Sequence, residues 1–266
     1  MKKSHPKVIL EKKKAVALVT INNLERHNSL SRAVMTELIT VLKRIAVDSS
    51  VRVVVLTGAG TQSFSVGLDL KELTAQGKVI IDDLDAKSRT MGVDSPLVKA
   101  ISDLPQPLIG AINGFAITGG FELALACDFL VCSTHAQFAD THALVGLLPG
   151  WGLSQKLPHL IGLNHAKELS FTGRYVGANE AKSLGIVNHV FEPNDLMPQA
   201  LKVADRIAQS DTIALQSIKS MMNLGSQMPL AQALIMEGDL AQEYNDQLNF
   251  SHLEERLKTL RTAAKK

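Results

Sequence analysis

The stretch "AINGFAITGGFELALACDF" (residues 111–129) decides how this chain is read. Small and apolar residues lead to Asn113-Gly114, where a strand ends, and Gly119-Gly120 open an apolar helical pattern. Paired glycines at a helix start let a ligand approach the backbone closely. The unpaired N–H groups of such a first turn, with the helix dipole behind them, favour a developing anion. Glu122 falls in this turn, flanked by Phe121, Leu123 and Leu125. A carboxyl group among apolar side chains is driven towards its neutral form, which suits acid/base work near neutral pH. Read on local grounds alone, the same glutamate simply stabilises a helix N-terminus. This stretch leaves both readings open.

A second segment, "GAGTQSFSVGLDLKEL" (58–73), has a related texture. It follows the β-branched run "VRVVVLTG" (51–58), which reads as a strand buried on both faces. Gly67 can hold an unusual backbone angle and aim the next N–H, that of Leu68, at a ligand. The plainer reading is a glycine turn capped by Asp69 before a short helix. The segment lacks the GK[ST] of a phosphate-binding P-loop and the GxGxxG of a dinucleotide loop.

Outward from these two segments, strands are expected at 15–22, 107–113, 129–134 and 187–191, and an amphipathic helix at 31–47. Residues 71–94 are charged and weakly patterned, as in a loop with a little helix. From about Asn164 helical patterns follow one another at 164–172, 178–184, 195–209, 212–224, 229–246 and 251–263. The order argues for an α/β core followed by a helical part. A doubly wound parallel sheet and a stacked ββα spiral both fit, and periodicity does not choose between them.

The totals exclude more than they assign. With 266 residues, 45% hydrophobic and 20% charged, the chain reads as one large globular domain or a domain with an appendage. A net charge of +2 makes no case for nucleic acid or a membrane surface. The six lysines among the first fourteen residues lack aromatic interleaving and read as a solvated tail, not an RNA site. Cys127 and Cys132 lack the spacing of a zinc or redox motif and read as reduced, buried thiols. No apolar run reaches the roughly 18–20 residues of a membrane span. The N-terminus has no signal-peptide core, and "TAAKK" is not a peroxisomal address, so a cytoplasmic protein is expected. Asn249-Phe250-Ser251 fits a glycosylation sequon, with nothing else suggesting secretion.

Several motifs in fixed order carry a family resemblance: "NNLERHNSLS" (22–31), "FSVGLDLKEL" (64–73), "PLIGAINGFAITGGFELALACDF" (107–129), "AQFADTHALVGLLPGWGLSQKLPHLIG" (136–162) and residues 171–191. On these the chain resembles the crotonase superfamily, the enoyl-CoA hydratase/isomerase family, over residues from about 8 to 225. "GFELALACD", "DTHA" and "PGWGLSQKL" are most similar to plant and bacterial proteins named as enoyl-CoA hydratases. The resemblance implies a spiral of ββα units, residues 1–192, binding acyl-CoA, and a C-terminal helical trimerisation region, residues 193–266. It implies an acyl-CoA thioester as substrate, no separate cofactor or metal, and assembly as a homotrimer or dimer of trimers. An oxyanion hole is implied at the N–H groups of Leu68 and Gly119, which agrees with the local reading of both glycine segments. The stretches around Asn28, Ser65, Val66, Gly67, Asp69 and Gly120 would line the substrate, largely through backbone.

The chain departs from the family pattern in three places. Family hydratases use two glutamates; one maps to Glu122, and the position of the second is His142. An imidazole there can donate or accept a proton. It could bind or activate water while Glu122 moves a proton, or merely line the pocket while Glu122 acts alone. Asp140 could orient the ring if the backbone between them is extended. Thr118 stands where many members have a third glycine and could narrow the pocket. The C-terminal tail lacks the family's usual CoA-contacting run, so no role transfers to Tyr244 or Lys258. The expected function is hydration across the C2–C3 double bond of an enoyl-CoA. Enoyl-CoA isomerisation by Glu122 alone, or acyl-CoA binding without catalysis, are the alternatives.

Overall fold

The structure, a computed structural model, describes residues 5–76, 91–92, 94–248, 250, 253–254 and 256–258. Its strands are β1 (Val8–Lys13), β2 (Val16–Ile21), β3 (Val53–Gly58), β4 (Ser63–Ser65), β5 (Leu108–Ile112), β6 (Phe115–Ile117), β7 (Phe129–Ser133), β8 (Gln137–Ala139), β9 (Val176–Gly177) and β10 (His189–Phe191). Its helices are α1 (Arg32–Ala46), α2 (Leu70–Gln76), α3 (Pro96–Ser102), α4 (Gly119–Leu125), α5 (His142–Val145), α6 (Leu153–Ile161), α7 (Leu163–Thr172), α8 (Ala178–Ser183), α9 (Leu196–Ile207), α10 (Thr212–Gly225) and α11 (Leu230–Asp246).

Among the described residues the strands form two sheets. One runs β1-β2-β3-β5-β7-β10 and the other β4-β6-β8-β9. All pairs are parallel except β1 with β2 and β8 with β9. The first strand of each successive unit (β3, β5, β7) joins the large sheet. The second (β4, β6, β8) leaves for the small one, and a helix follows: α2, α4 or α5. This is a ββα spiral. A doubly wound sheet is ruled out because every second strand departs.

Burial on both faces explains the unbroken β-branched run of β3. Val54 and Leu56 pack into the main core with α1 and α3, while Val53 and Val55 face the opposite side. There Leu196, Ala200 and Ala204 of α9 cover Val16, Leu18, Ile109, Ala111 and Val131. Alanine at every fourth position lets α9 approach the sheet closely. The helix α1 starts where Ser31 Oγ accepts a hydrogen bond from the Val34 N–H, and it buries Val34, Met35, Leu38, Ile39, Leu42 and Ile45. Truncating a fully buried leucine such as Leu38 to alanine costs about 2–5 kcal/mol in such a core.

The chain divides into two compact units, Met1–Thr212 and Ile213–Lys266. A boundary of regions was expected at 192/193; the units meet twenty residues later because α9 belongs to the sheet of the first. The second unit contains α11 and most of α10, and the described residues of these two helices include no buried side chain. Of the expected loop at 71–94, residues 71–76 are helical, and most of the rest lies outside the described residues. So do most of the expected helix at 251–263, most of the sequon at 249–251 and the C-terminal "TAAKK". Among the described residues no helix is long and apolar enough to cross a membrane. Both cysteines are buried, and burial pushes the Cys132 thiol up to about 12, so it stays protonated.

Candidate active site

The spiral brings the two glycine segments into contact. Gly67 follows β4 with φ +84, the left-handed region that favours glycine. A Cβ on Gly67 would lie 2.8 Å from the Gly119 nitrogen, and one on Gly119 would lie 3.5 Å from the Leu68 nitrogen. The two backbones therefore touch, and at Gly67 only glycine permits it. Among the described residues neither the Leu68 N–H nor the Gly119 N–H donates to a backbone acceptor. Two N–H groups on adjoining segments, both without an intramolecular partner of this kind, can receive one anionic oxygen. Gly120 is tighter still: a Cβ there would fall 2.0 Å from the Ser65 carbonyl oxygen.

Glu122 projects from the first turn of α4 and is 3% exposed. Its Oε1 accepts the backbone N–H of Trp151 at 2.7 Å and of Leu153 at 3.3 Å, at the start of α6. Its Oε2 faces His142 Nε2 at 3.5 Å. The other ring nitrogen, Nδ1, lies 2.7 Å from Asp140 Oδ1. Asp140, His142 and Glu122 are all buried, so a line of carboxylate, imidazole and carboxylate is shielded from water. Burial pushes the His142 ring towards its neutral form. Hydrogen bonds to Asp140 and Glu122, and the charges of both, outweigh this and raise it from 6.5 to about 9. At Asp140 burial pushes the carboxyl up, yet hydrogen bonds from His142 and Ser170 hold it below the ordinary range. A ring so raised favours its charged form at neutral pH, with Nδ1 within hydrogen-bond distance of Asp140 and Nε2 facing the Glu122 carboxylate.

Asp140 orients the ring, but not through the extended backbone that was expected. Thr141 has φ −99 and ψ 12, and Asp140 Oδ1 also accepts the His142 backbone N–H at 3.2 Å. A carboxylate that bonds the backbone two residues on makes a turn, and the turn folds the ring back onto the same oxygen.

The residues expected to line the substrate have partners of their own. Asn28 is buried, with Nδ2 donating to the carbonyls of Ala59 and Ser63 and Oδ1 accepting the Asn23 N–H. Ser65 Oγ accepts the Gly67 N–H at 3.2 Å and so helps hold that turn. Asp69 Oδ1 accepts the Lys71 and Glu72 N–H groups at the start of α2, and Oδ2 takes Arg26 Nη1 at 2.6 Å. Asp69 therefore caps a short helix, as the plainer reading of this segment had it, and Gly67 takes the unusual backbone angle just before Leu68. Val66, half-buried, completes the turn. One residue past Leu68 a polar cleft of about 430 Å³ opens, lined by Lys7, Asn23, Arg26, Ser31, Asp69, Lys71 and Glu72.

Sequence reasoning did not single out the Trp151 and Leu153 N–H groups or Ser170. The signal for the first two was present in Gly150-Trp151-Gly152, a glycine-flanked turn (Gly152 φ +108) before the helical pattern of α6.

The family model described as Enoyl-CoA hydratase/isomerase matches residues 11–259. The chain belongs to the enoyl-CoA hydratase/isomerase family. It is 43% identical over 229 residues, 86% of this chain and 83% of the other, to the probable peroxisomal enoyl-CoA hydratase 1 of Arabidopsis thaliana. It is 36% identical over 233 residues, 87% of each, to a short-chain-enoyl-CoA hydratase of Clostridium acetobutylicum. The crystal structure of an enoyl-CoA hydratase from Bacillus anthracis superposes with a TM-score of 0.81 at 33% identity, covering 97% of this chain and 96% of that one. The ββα spiral is thus the crotonase fold. Within that family fold, this chain sets an aspartate–histidine pair against Glu122.

Proposed function

We propose that this protein hydrates the C2–C3 double bond of an enoyl-CoA thioester, with Glu122 and His142 as the proton-transferring pair. The observation that carries the reading is the 3.5 Å approach of His142 Nε2 to Glu122 Oε2 beside the Leu68 and Gly119 N–H groups. The thioester oxygen accepts those two N–H groups. The Glu122 carboxylate takes a proton from water as its oxygen attacks C3. The electron pair of the double bond moves towards the carbonyl, and the enolate oxygen is stabilised in the hole; one such donor typically contributes about 3–4 kcal/mol. The His142 imidazolium then protonates C2. This leaves Glu122 protonated and His142 neutral, and one proton passing from Oε2 to Nε2 restores both. Water and enoyl-CoA become 3-hydroxyacyl-CoA, and the CoA arrives as part of the substrate.

Isomerisation by Glu122 alone would leave the buried Asp140–His142 pair as lining, and the direct contact between His142 and Glu122 favours the pair. Asn28, Ser65 and Asp69 support the substrate by shaping the backbone from Ser65 to Gly120, while the polar cleft beside Asp69 suits the nucleotide end of CoA. The second unit exposes Ile213, Ile218, Met222, Leu230, Leu234 and Ile235. Apolar helix faces on this scale support assembly through copies of the chain, as a homotrimer or a dimer of trimers. The deciding test follows loss of the conjugated thioester absorbance of crotonyl-CoA with wild type and Glu122→Gln. Turnover by the first and not the second supports hydration; no turnover by wild type removes short-chain hydration.

A further inference from the structure

Two threonines stand directly before the groups that the mechanism uses. Thr118 precedes Gly119 and Thr141 precedes His142. Each is the N-cap residue of a helix, α4 or α5, where a threonine hydroxyl ordinarily accepts an N–H of the first turn. Neither does so; their Oγ1 atoms are hydrogen-bonded to each other. Thr118 also has φ 55 and ψ −117, a conformation that a β-branched residue seldom adopts. Its N–H donates to the Ala139 carbonyl at 2.9 Å and its carbonyl accepts the Glu122 N–H at 3.0 Å. The hydroxyl bond thus adds a further point at which an unfavourable backbone angle is held.

We infer that Thr118 and Thr141 are paired positioning residues whose hydroxyl–hydroxyl bond sets the Gly119 N–H and the His142 ring in register with one another. The inference rests on the hydration reading above. The peptide plane between Thr118 and Gly119 carries the Gly119 N–H, so ψ of Thr118 sets where that donor points. The peptide between Thr141 and His142 carries the N–H that Asp140 Oδ1 accepts, so a shift at Thr141 moves both of His142's bonds to Asp140. Tying the two hydroxyls together fixes donor and acid against one frame, from two strands, β6 and β8, that already pair.

The experiment compares Thr141→Val, Thr141→Ser and Thr118→Gly with wild type, each measured well below its melting temperature. It reads kcat and KM for crotonyl-CoA, and the titration of the His142 ring by NMR against its charged neighbours Asp140 and Glu122. Thr141→Val keeps the shape and removes the hydroxyl. It is expected to lower kcat about tenfold or more with KM within about twofold, since sub-ångström misplacement acts on the transition state. The ring's titration midpoint should fall, and Thr141→Ser should restore both readouts. Thr118→Gly removes the same bond from the other side without strain and should reproduce the kcat loss, which covers the case where Thr141→Val does not fold. Wild-type kcat and titration in Thr141→Val, or equal damage in Thr141→Ser, overturns the inference. If wild type does not turn over crotonyl-CoA, the hydration reading falls. The titration then decides alone: a midpoint moved by valine and restored by serine upholds the pairing, and an unmoved one overturns it.

Discussion

His142 Nε2 lies 3.5 Å from Glu122 Oε2, and the other nitrogen of the same ring, Nδ1, is held by Asp140. The ring is an acid placed between two bases. Its position makes the roles of all three residues separable by substitution.

Glu122→Gln removes the base and keeps the size. Loss of one general base typically costs 10²–10⁴-fold, so kcat for crotonyl-CoA hydration should fall by about that factor. The amide oxygen still accepts the Trp151 and Leu153 N–H groups, so the fold should be kept, with the melting temperature lowered by the loss of the Glu122 charge facing His142. A steady-state assay beside a thermal melt checks both.

The His142 shift has a stability consequence. Its folded value of about 9 lies above the unfolded 6.5, so the stabilisation is fully present below pH 6.5. It is lost as pH rises through 9. Its upper size is about 3 kcal/mol, at roughly 1.4 kcal/mol per unit. Urea unfolding of wild type and His142→Gln should show a gap between them that shrinks between pH 6 and 9.5. A gap independent of pH would contradict the raised value.

Gly67 and Gly120 should not tolerate alanine. At Gly67 the left-handed angle costs about 1–2 kcal/mol for any other residue, and the Cβ would press on the Gly119 nitrogen at 2.8 Å. At Gly120 it would meet the Ser65 carbonyl at 2.0 Å, and overpacking of this kind costs about 1–3 kcal/mol. Gly67→Ala should lower kcat as well as stability, because the contact it disturbs is the one between the two N–H donors. Gly177 offers a control, since nothing lies within 4 Å of a Cβ there.

If the second unit assembles copies of the chain, charges on α11 should undo the assembly. Leu234 is 59% exposed and Ile235 is 66% exposed. Replacing both with glutamate should convert a trimer or hexamer to smaller species in light scattering. An unchanged mass would place the contact elsewhere.

The large sheet was legible because its strands β2, β3, β5 and β7 are long enough, and apolar enough, to show as runs. The small sheet was not. Its strands β4, β6, β8 and β9 have two or three residues each, too few for any period, and their polar members Ser63, Ser65 and Gln137 read as loop. The glycines Gly67, Gly119 and Gly120 stood out in the sequence as points where backbones could approach closely, and in the structure these segments do. The Asp140–His142 pair was visible as two chemical groups, but the turn that joins them was not, since it depends on Thr141 leaving the extended region. The hold on Glu122 by Trp151 and Leu153 is backbone chemistry across 29 and 31 residues, which no local pattern encodes. The place of α9 on the sheet was missed for a similar reason. Its alanines look like any helix, and only the tertiary fit shows what they cover.

The central claim is that His142 serves as the acid partner of Glu122. It is tested most directly by kcat for crotonyl-CoA hydration from pH 6 to 10, for wild type and His142→Gln. The account predicts that wild-type kcat falls as pH rises through about 9, where the ring loses its proton, and that the variant is slow with no such descending limb. Wild-type kcat that stays level through pH 10, or the same limb in His142→Gln, would contradict it.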